Sequence, residues 1–94
     1  MQERIDVGHD PAHQRFAANV DGVQAELDYE QRGDVLCLIH TGVPPAIGGR
    51  GVGGALVRAA LDYARAKGLK VRPSCTYAAS FIERHPQYQD LVAA

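Results

Sequence analysis

Between Gly42 and Gly54, eight of thirteen positions are glycine or proline: Gly42, Pro44, Pro45, Gly48, Gly49, Gly51, Gly53 and Gly54. No regular strand crosses such a tract. Proline removes a backbone donor, and glycine loses more freedom on ordering than any other residue. The tract therefore divides the chain into two parts with different periodicities. Before it, apolar residues recur every second position. Phe16, Ala18 and Val20 share one strand face, and Val23, Ala25, Leu27 and Tyr29 alternate with Gln24, Glu26, Asp28 and Glu30. Asp21-Gly22 between these runs is a two-residue hairpin signal, because glycine adopts positive φ readily. Arg32-Gly33-Asp34 makes the next turn. Val35–Ile39 is apolar on both faces, which predicts a central strand covered on both sides.

After the tract the period becomes helical. Val52, Leu56, Ala59, Ala60, Tyr63 and Ala64 fall on one stripe, with Arg58, Asp62, Arg65 and Lys67 on the solvent side. Gly68 is the expected left-handed terminator. Leu69–Arg72 reads as a short strand stopped by Pro73. A second helix runs from Thr76 or Tyr77 to Arg84, burying Ala78, Phe81 and Ile82, and Pro86 ends it. Residues 87–92 form one last helical turn. Residues 1–14, polar and holding Gly8, Asp10 and Pro11, read as a partly ordered N-terminal arm. The order is β-β-β-α-β-α, an α+β domain spanning residues 1–94: an antiparallel three-stranded meander, a fourth strand, and helices packed on the sheet.

Composition removes most function classes. Ninety-four residues allow one domain with a thin core. A chain 46% hydrophobic and 22% charged is too apolar to favour disorder. Net charge is −1 and aromatics are 6% without tryptophan, so neither a phosphate-attracting field nor a base-stacking platform for nucleic acid is supplied. The longest apolar run, Val35–Ile39, is far short of a membrane span. Residues 1–4 do not begin a secretory signal. Cys37 and Cys75 make no disulfide framework, which points to a cytoplasmic protein with reduced thiols. No metal is expected: His9 and His13 are four apart, but Pro11 between them breaks the helix such a pair needs.

The stretch from Ile47 to Gly54 opens a helix. Helix N-termini carry unpaired N–H groups and partial positive charge, which suit an anion. Arg50 can add a side-chain donor. The competing reading is that the glycines only permit close packing. A nucleoside-triphosphate loop is excluded, because Gly54 and Ala55 stand where lysine and a hydroxyl are required. A dinucleotide fold is disfavoured. Gly42–Gly48 separates strand from helix, and the next strand carries Lys70 and Arg72 instead of an acid.

The segment from Val43 to Gly53 resembles the acyl-CoA loop of the GNAT acetyltransferase superfamily. That pattern is V-x-P, then Q/R-x-x-G-x-G/A, then an amphipathic helix. Val43 and Pro45 match the first part, and Gly51 and Gly53 the two small positions. Gly48 departs from the expected Gln or Arg, which leaves pyrophosphate binding to backbone N–H groups and Arg50. Further motifs follow in order: His40-Thr41-x-Val43-Pro44, then Gly68-Leu69-Lys70-Val71-x-Pro73-x-Cys75-x-Tyr77, then Arg84-His85-Pro86-x-Tyr88. Together they resemble the small single-domain GNAT-like N-acetyltransferases, over roughly residues 16–92.

The resemblance implies a minimal GNAT-like fold in which the strand ending at His40-Thr41 and the strand Leu69–Arg72 are parallel and splay apart. It implies acetyl-CoA as cosubstrate. The pantetheine arm would bond the backbone at Thr41, Gly42 and Val43. The pyrophosphate would sit on Gly48, Gly49, Arg50, Gly51, Val52, Gly53 and Gly54, with the thioester near Cys75. It also places Ile82 where the superfamily often has a tyrosine acid, so the usual proton donor is missing. Relative to larger members the chain keeps the cofactor half alone. That favours an open-sided site and an accessible acceptor such as a protein amine.

Two residues are the catalytic candidates. Cys75 follows a strand and precedes a helix, where a thiolate is favoured. It can act as general acid or as acyl acceptor; the alternative is a small buried hydrophobe. His40 ends the central strand, where an imidazole can deprotonate an ammonium; the alternative is a histidine bonded only to its neighbours. The expectation is acetyl transfer to an amine, small or on a protein. Its rivals are a non-catalytic CoA or acyl-CoA-binding module and a structural interaction domain.

Overall fold

In the computed structural model, which describes residues 5–93, five strands form one sheet. They are β1 (Val7–Asp10), β2 (Arg15–Val20), β3 (Val23–Arg32), β4 (Val35–Gly42) and β5 (Lys70–Pro73), in spatial order β1-β2-β3-β4-β5. The first four are antiparallel, and β5 lies parallel to β4. Helix α1 (Val52–Lys67) is the crossover between β4 and β5, and α2 (Thr76–Arg84) follows β5. A 3₁₀ segment, Pro86–Leu91, then leads to Val92, which bridges to Val71 on the outer edge of β5.

The local signals act as expected. Asp21 and Gly22 both have positive φ, 52° and 79°, the pair a tight hairpin requires. Gly68 closes α1 in the left-handed conformation, its N–H reaching Ala64 and Arg65 carbonyls.

Two expectations need correction. The N-terminal arm is in part a strand. Val7 and His9 face Ala18 and Phe16 in register, so β1 caps the open edge of the meander. The arm's residues 1–4 lie outside the described residues. The second correction concerns β4. The helices gather on one face of the sheet, where Leu36 and Leu38 are fully buried with Leu27, Leu56 and Leu61. The other face has no helix over it among the described residues. Cys37 is buried there between the cross-strand neighbours Glu30 and Arg72, while Ile39 is 47% exposed. Apolar character on both faces of Val35–Ile39 therefore did not mean cover on both faces.

His9 lies in an aromatic cluster that fastens β1. Its ring stacks on Phe16 at 4.1 Å and meets Tyr63 edge-on at 4.5 Å. Its Nε2 is 2.6 Å from the Tyr29 hydroxyl. Burial lowers the His9 pKa, partly opposed by the Asp10 charge. As pH falls the unfolded chain, with a value near ~6.5, takes up the proton first. Stability from this site is whole above about pH 6.5 and is lost as pH falls through the lower folded value. Asp10 and Asp90, held low by hydrogen bonds from His13 and Arg65, titrate in more acid solution. The unfolding midpoint should therefore drop between about pH 7 and pH 5, and His9→Phe, which keeps the stack, should flatten that drop. A His9→Phe profile parallel to wild type would place the acid sensitivity elsewhere.

Candidate functional site

The site begins where β4 and β5 part. Their pairing runs from Val35↔Lys70 to Leu38↔Pro73 and stops. Pro73 has no N–H to continue a ladder. The chain bends through Ser74, whose N–H bonds the Arg72 carbonyl, and the Cys75 N–H then bonds the Leu38 carbonyl at 2.9 Å. β4 continues for four more residues, Ile39 to Gly42. Along that stretch no described strand lies on its β5 side.

A bulge on the β3 side sets which way those residues point. Tyr29 pairs with Leu38 but Asp28 pairs with His40, so Ile39 is an extra residue. One inserted residue reverses the alternation beyond it. Thr41 therefore shares the helix face with Leu38, and His40 and Gly42 turn to the open face beside Asp28 and Glu26. The two catalytic candidates are thus on opposite faces of the sheet. Cys75, which caps α2, is with Thr41, its Sγ 3.7 Å from the Thr41 hydroxyl.

The surroundings of Cys75 favour its ionised form. Burial by itself would raise the thiol pKa. Against it stand the Ala78 N–H, the Thr41 hydroxyl and the N–H groups of Tyr77 and Thr41, and the net shift is downward. Donors directed at a thiolate stabilise the charge. Arg72 faces the open side and lies exposed, as strand alternation after buried Val71 requires.

The glycine tract folds as a seated loop. Val43 packs against the core, and a 3₁₀ turn, Pro45–Ile47, buries Ile47 to 1% exposure. Gly49 and Gly51 have φ of 75° and 81°, a conformation that a side chain resists. Gly51 caps α1 with no side-chain acceptor, so the N–H groups of Val52, Gly53 and Gly54 start the helix without a side-chain cap. Gly53 and Gly54 serve packing as well. A Cβ on Gly53 would come within 2.5 Å of the Tyr77 hydroxyl, and one on Gly54 within 3.5 Å of the Phe81 ring. At Gly53 and Gly54 the packing reading of the glycines therefore applies. Gly48 is extended and exposed and needs no glycine conformation.

Tyr77 also ties the two sides of the site together, since its helix carries Cys75 and its hydroxyl lies over the start of α1. The Arg50 guanidinium is 2.7 Å from Asp21 in the β2–β3 hairpin. A cavity of about 700 Å³ opens beside Gly51, lined in part by Arg50, Gly54, Arg58 and Phe81. It does not reach Thr41 or Cys75.

The arrangement offers an unpaired strand edge, a helix N-terminus free of side-chain capping and a thiol whose charge is stabilised. Backbone amides and glycines suit a diphosphate, and an open strand edge suits an extended amide-bearing chain. Acyl-CoA has both parts, and the residues fit it. His85 is apart from the site; its Nδ1–H donates to the Phe81 carbonyl at 2.8 Å, finishing α2.

Comparison with known proteins agrees with this geometry. Residues 15–91 match the sequence profile described as GCN5-related N-acetyltransferase. The chain is 36% identical over 90 residues to Protein NATD1 of Gallus gallus, covering 93% of this chain and 82% of that one. Against Protein NATD1 of Homo sapiens the identity is also 36%, covering 93% and 80%. An NMR solution structure of a GCN5-like protein from Staphylococcus aureus superposes with a TM-score of 0.72 at 31% identity, covering 97% of this chain and 88% of that one. Profile, relatives and superposition cover the loop, the splay and the cysteine together, and on that ground the chain belongs to the family of GCN5-related N-acetyltransferases.

Proposed function

We propose that the protein is an acetyl-CoA-dependent N-acetyltransferase in which Cys75 is the general acid and His40 the general base. The observation that carries the reading is the Cys75 thiol at the start of α2, its Sγ 3.7 Å from the Thr41 hydroxyl where β4 and β5 separate. Acetyl-CoA would supply the acetyl group as a thioester. The N–H groups of Gly51–Gly54 hold its diphosphate, and the open edge of Thr41–Val43 bonds the amide-bearing arm. Arg50, which pairs with exposed Asp21 and lines the cavity beside Gly51, can add its guanidinium to this backbone charge. His40 takes a proton from the acceptor ammonium on the open face. Cys75 gives its proton to the departing sulfur from the helix face, and the resulting thiolate rests among its donors.

Thermal unfolding tests the cofactor. At about a hundred times Kd, acetyl-CoA adds about 2.7 kcal/mol, which raises the midpoint of a domain this size by about 10–20 °C. No shift at millimolar acetyl-CoA would end the proposal.

A second reading has one observation behind it. Ile82, at the position where the superfamily often has a tyrosine, is buried and has no acidic proton to give. Unless Cys75 supplies one, the chain holds CoA without turning it over. Release of free CoA thiol in the presence of amines separates the two.

A further inference from the structure

We propose that the Tyr77 hydroxyl donates a hydrogen bond to the diphosphate of the bound acyl-CoA, supplying from α2 a side-chain donor that the glycines of the loop do not offer. The inference rests on the acyl-CoA reading and adds one binding residue to it. Phe81 sets the face of α2 that meets α1. It is 4% exposed, and its ring would lie 3.5 Å from a Cβ on Gly54. Tyr77, four residues earlier, shares that face. It lies against Gly53 in the same way but closer. Its hydroxyl, Cζ and Cε1 would stand 2.5, 2.7 and 3.0 Å from a Cβ there. The end of the ring thus occupies the space of the side chain that Gly53 lacks. In a helix each Cα–Cβ bond leans toward the N-terminus. The hydroxyl therefore stands on the side of α1 where the first N–H groups have no side-chain cap.

Packing accounts for the ring but not for the hydroxyl. The hydroxyls of Tyr29 and Tyr88 are committed within the fold, 2.6 Å from His9 Nε2 and 2.9 Å from an Asp62 carboxylate oxygen. The Tyr77 hydroxyl has no hydrogen-bond partner among the described residues, and the residue is 40% exposed. A phenol beside uncapped N–H groups offers its donor to the same anion that they suit.

Position along α2 adds to this. Tyr77 is two residues beyond Cys75, which caps the helix. An acyl-CoA with its diphosphate on Gly51–Gly54 and its thioester at Cys75 spans the gap that Tyr77 bridges. One side chain then binds the cofactor and holds the two helix starts together. The contact also makes Gly53 obligatory, because any Cβ at that position meets the ring. Gly53 and Tyr77 act as a pair.

Tyr77→Phe tests the hydroxyl and keeps the ring. On the full chain its thermal midpoint without ligand should match wild type. Its Kd for acetyl-CoA, by calorimetry, should rise about tenfold or more, as loss of a hydrogen bond to a charged group does. Its Kd for S-acetylpantetheine, which carries the arm and thioester without the diphosphate, should equal that of wild type in an NMR titration. Gly53→Ala should displace the ring and weaken acetyl-CoA by a similar factor, and the same change should cost much less in a Tyr77→Ala background. Three results would each overturn the proposal: an unchanged Kd for acetyl-CoA in Tyr77→Phe, an equal rise for both ligands, or a Gly53→Ala penalty undiminished without the tyrosine. Failure of the wild type to bind acetyl-CoA would instead overturn the acyl-CoA reading.

Discussion

Cys75→Ala should lower acetyl transfer by about 10²–10⁴-fold, the span over which a positioned general acid acts. It should leave the thermal shift by acetyl-CoA intact, because the proposed pyrophosphate donors are backbone groups of another element. Cys75→Ser should recover little, since an alkanol is a far weaker acid than a thiol. Cys37→Ala serves as the control. Cys37 is buried on the open face between Glu30 and Arg72, away from Thr41. Reactivity gives an independent reading. The hydrogen bonds that outweigh burial lower the Cys75 pKa below its usual 9.0, so its thiolate persists to lower pH than that of a free cysteine. Iodoacetamide should label Cys75 well before Cys37 at neutral pH. Intact mass after acetyl-CoA alone should show no acetyl adduct. A stable adduct would make Cys75 the acyl acceptor, and an unchanged rate in Cys75→Ala would remove it from the chemistry.

Much of this site was legible in the sequence because it depends on local rules. The hairpin at Asp21-Gly22, the terminator Gly68 and the cysteine between strand and helix each follow from a few adjacent residues. Pro73 likewise marks where β5 must stop. What the sequence did not disclose was non-local. β1 has four residues and turns only Val7 and His9 inward; a histidine is not read as apolar until Phe16, Tyr29 and Tyr63 are seen around it. The bulge at Ile39 was equally hidden. A run of five apolar residues looks the same with or without a break in register, yet that break decides which of His40 and Thr41 accompanies Cys75.

The proposed diphosphate site poses the question of how so glycine-rich a tract would be held in one shape. Its own hydrogen bonds are few: Ile47 N–H to the Pro44 carbonyl and Gly48 N–H to the Pro45 carbonyl at 3.0 and 3.1 Å. Ordering glycines costs backbone entropy, so something else must fix the turn. Ile47 is the side chain placed to do it, 1% exposed within the core cluster that also holds Leu38 and Val52. Ile47→Ala should cost about 2–5 kcal/mol, as buried Ile or Leu truncations do. That is a large share of the roughly 5–15 kcal/mol that holds a small domain folded. The midpoint should fall by about 10 °C or more. Acetyl-CoA affinity should fall with it, by about tenfold, because a loosened turn must be ordered again on binding. Ile47→Val keeps the anchor and should cost only about 0.5–1.5 kcal/mol, with affinity near wild type. Gly48→Ala, where the backbone is already extended and the new Cβ meets the Pro45 carbonyl oxygen at an ordinary 3.4 Å, should change neither property by much. If Ile47→Ala lost stability yet bound acetyl-CoA as tightly as wild type, the turn would be held by its glycine and proline geometry and not by its one buried side chain.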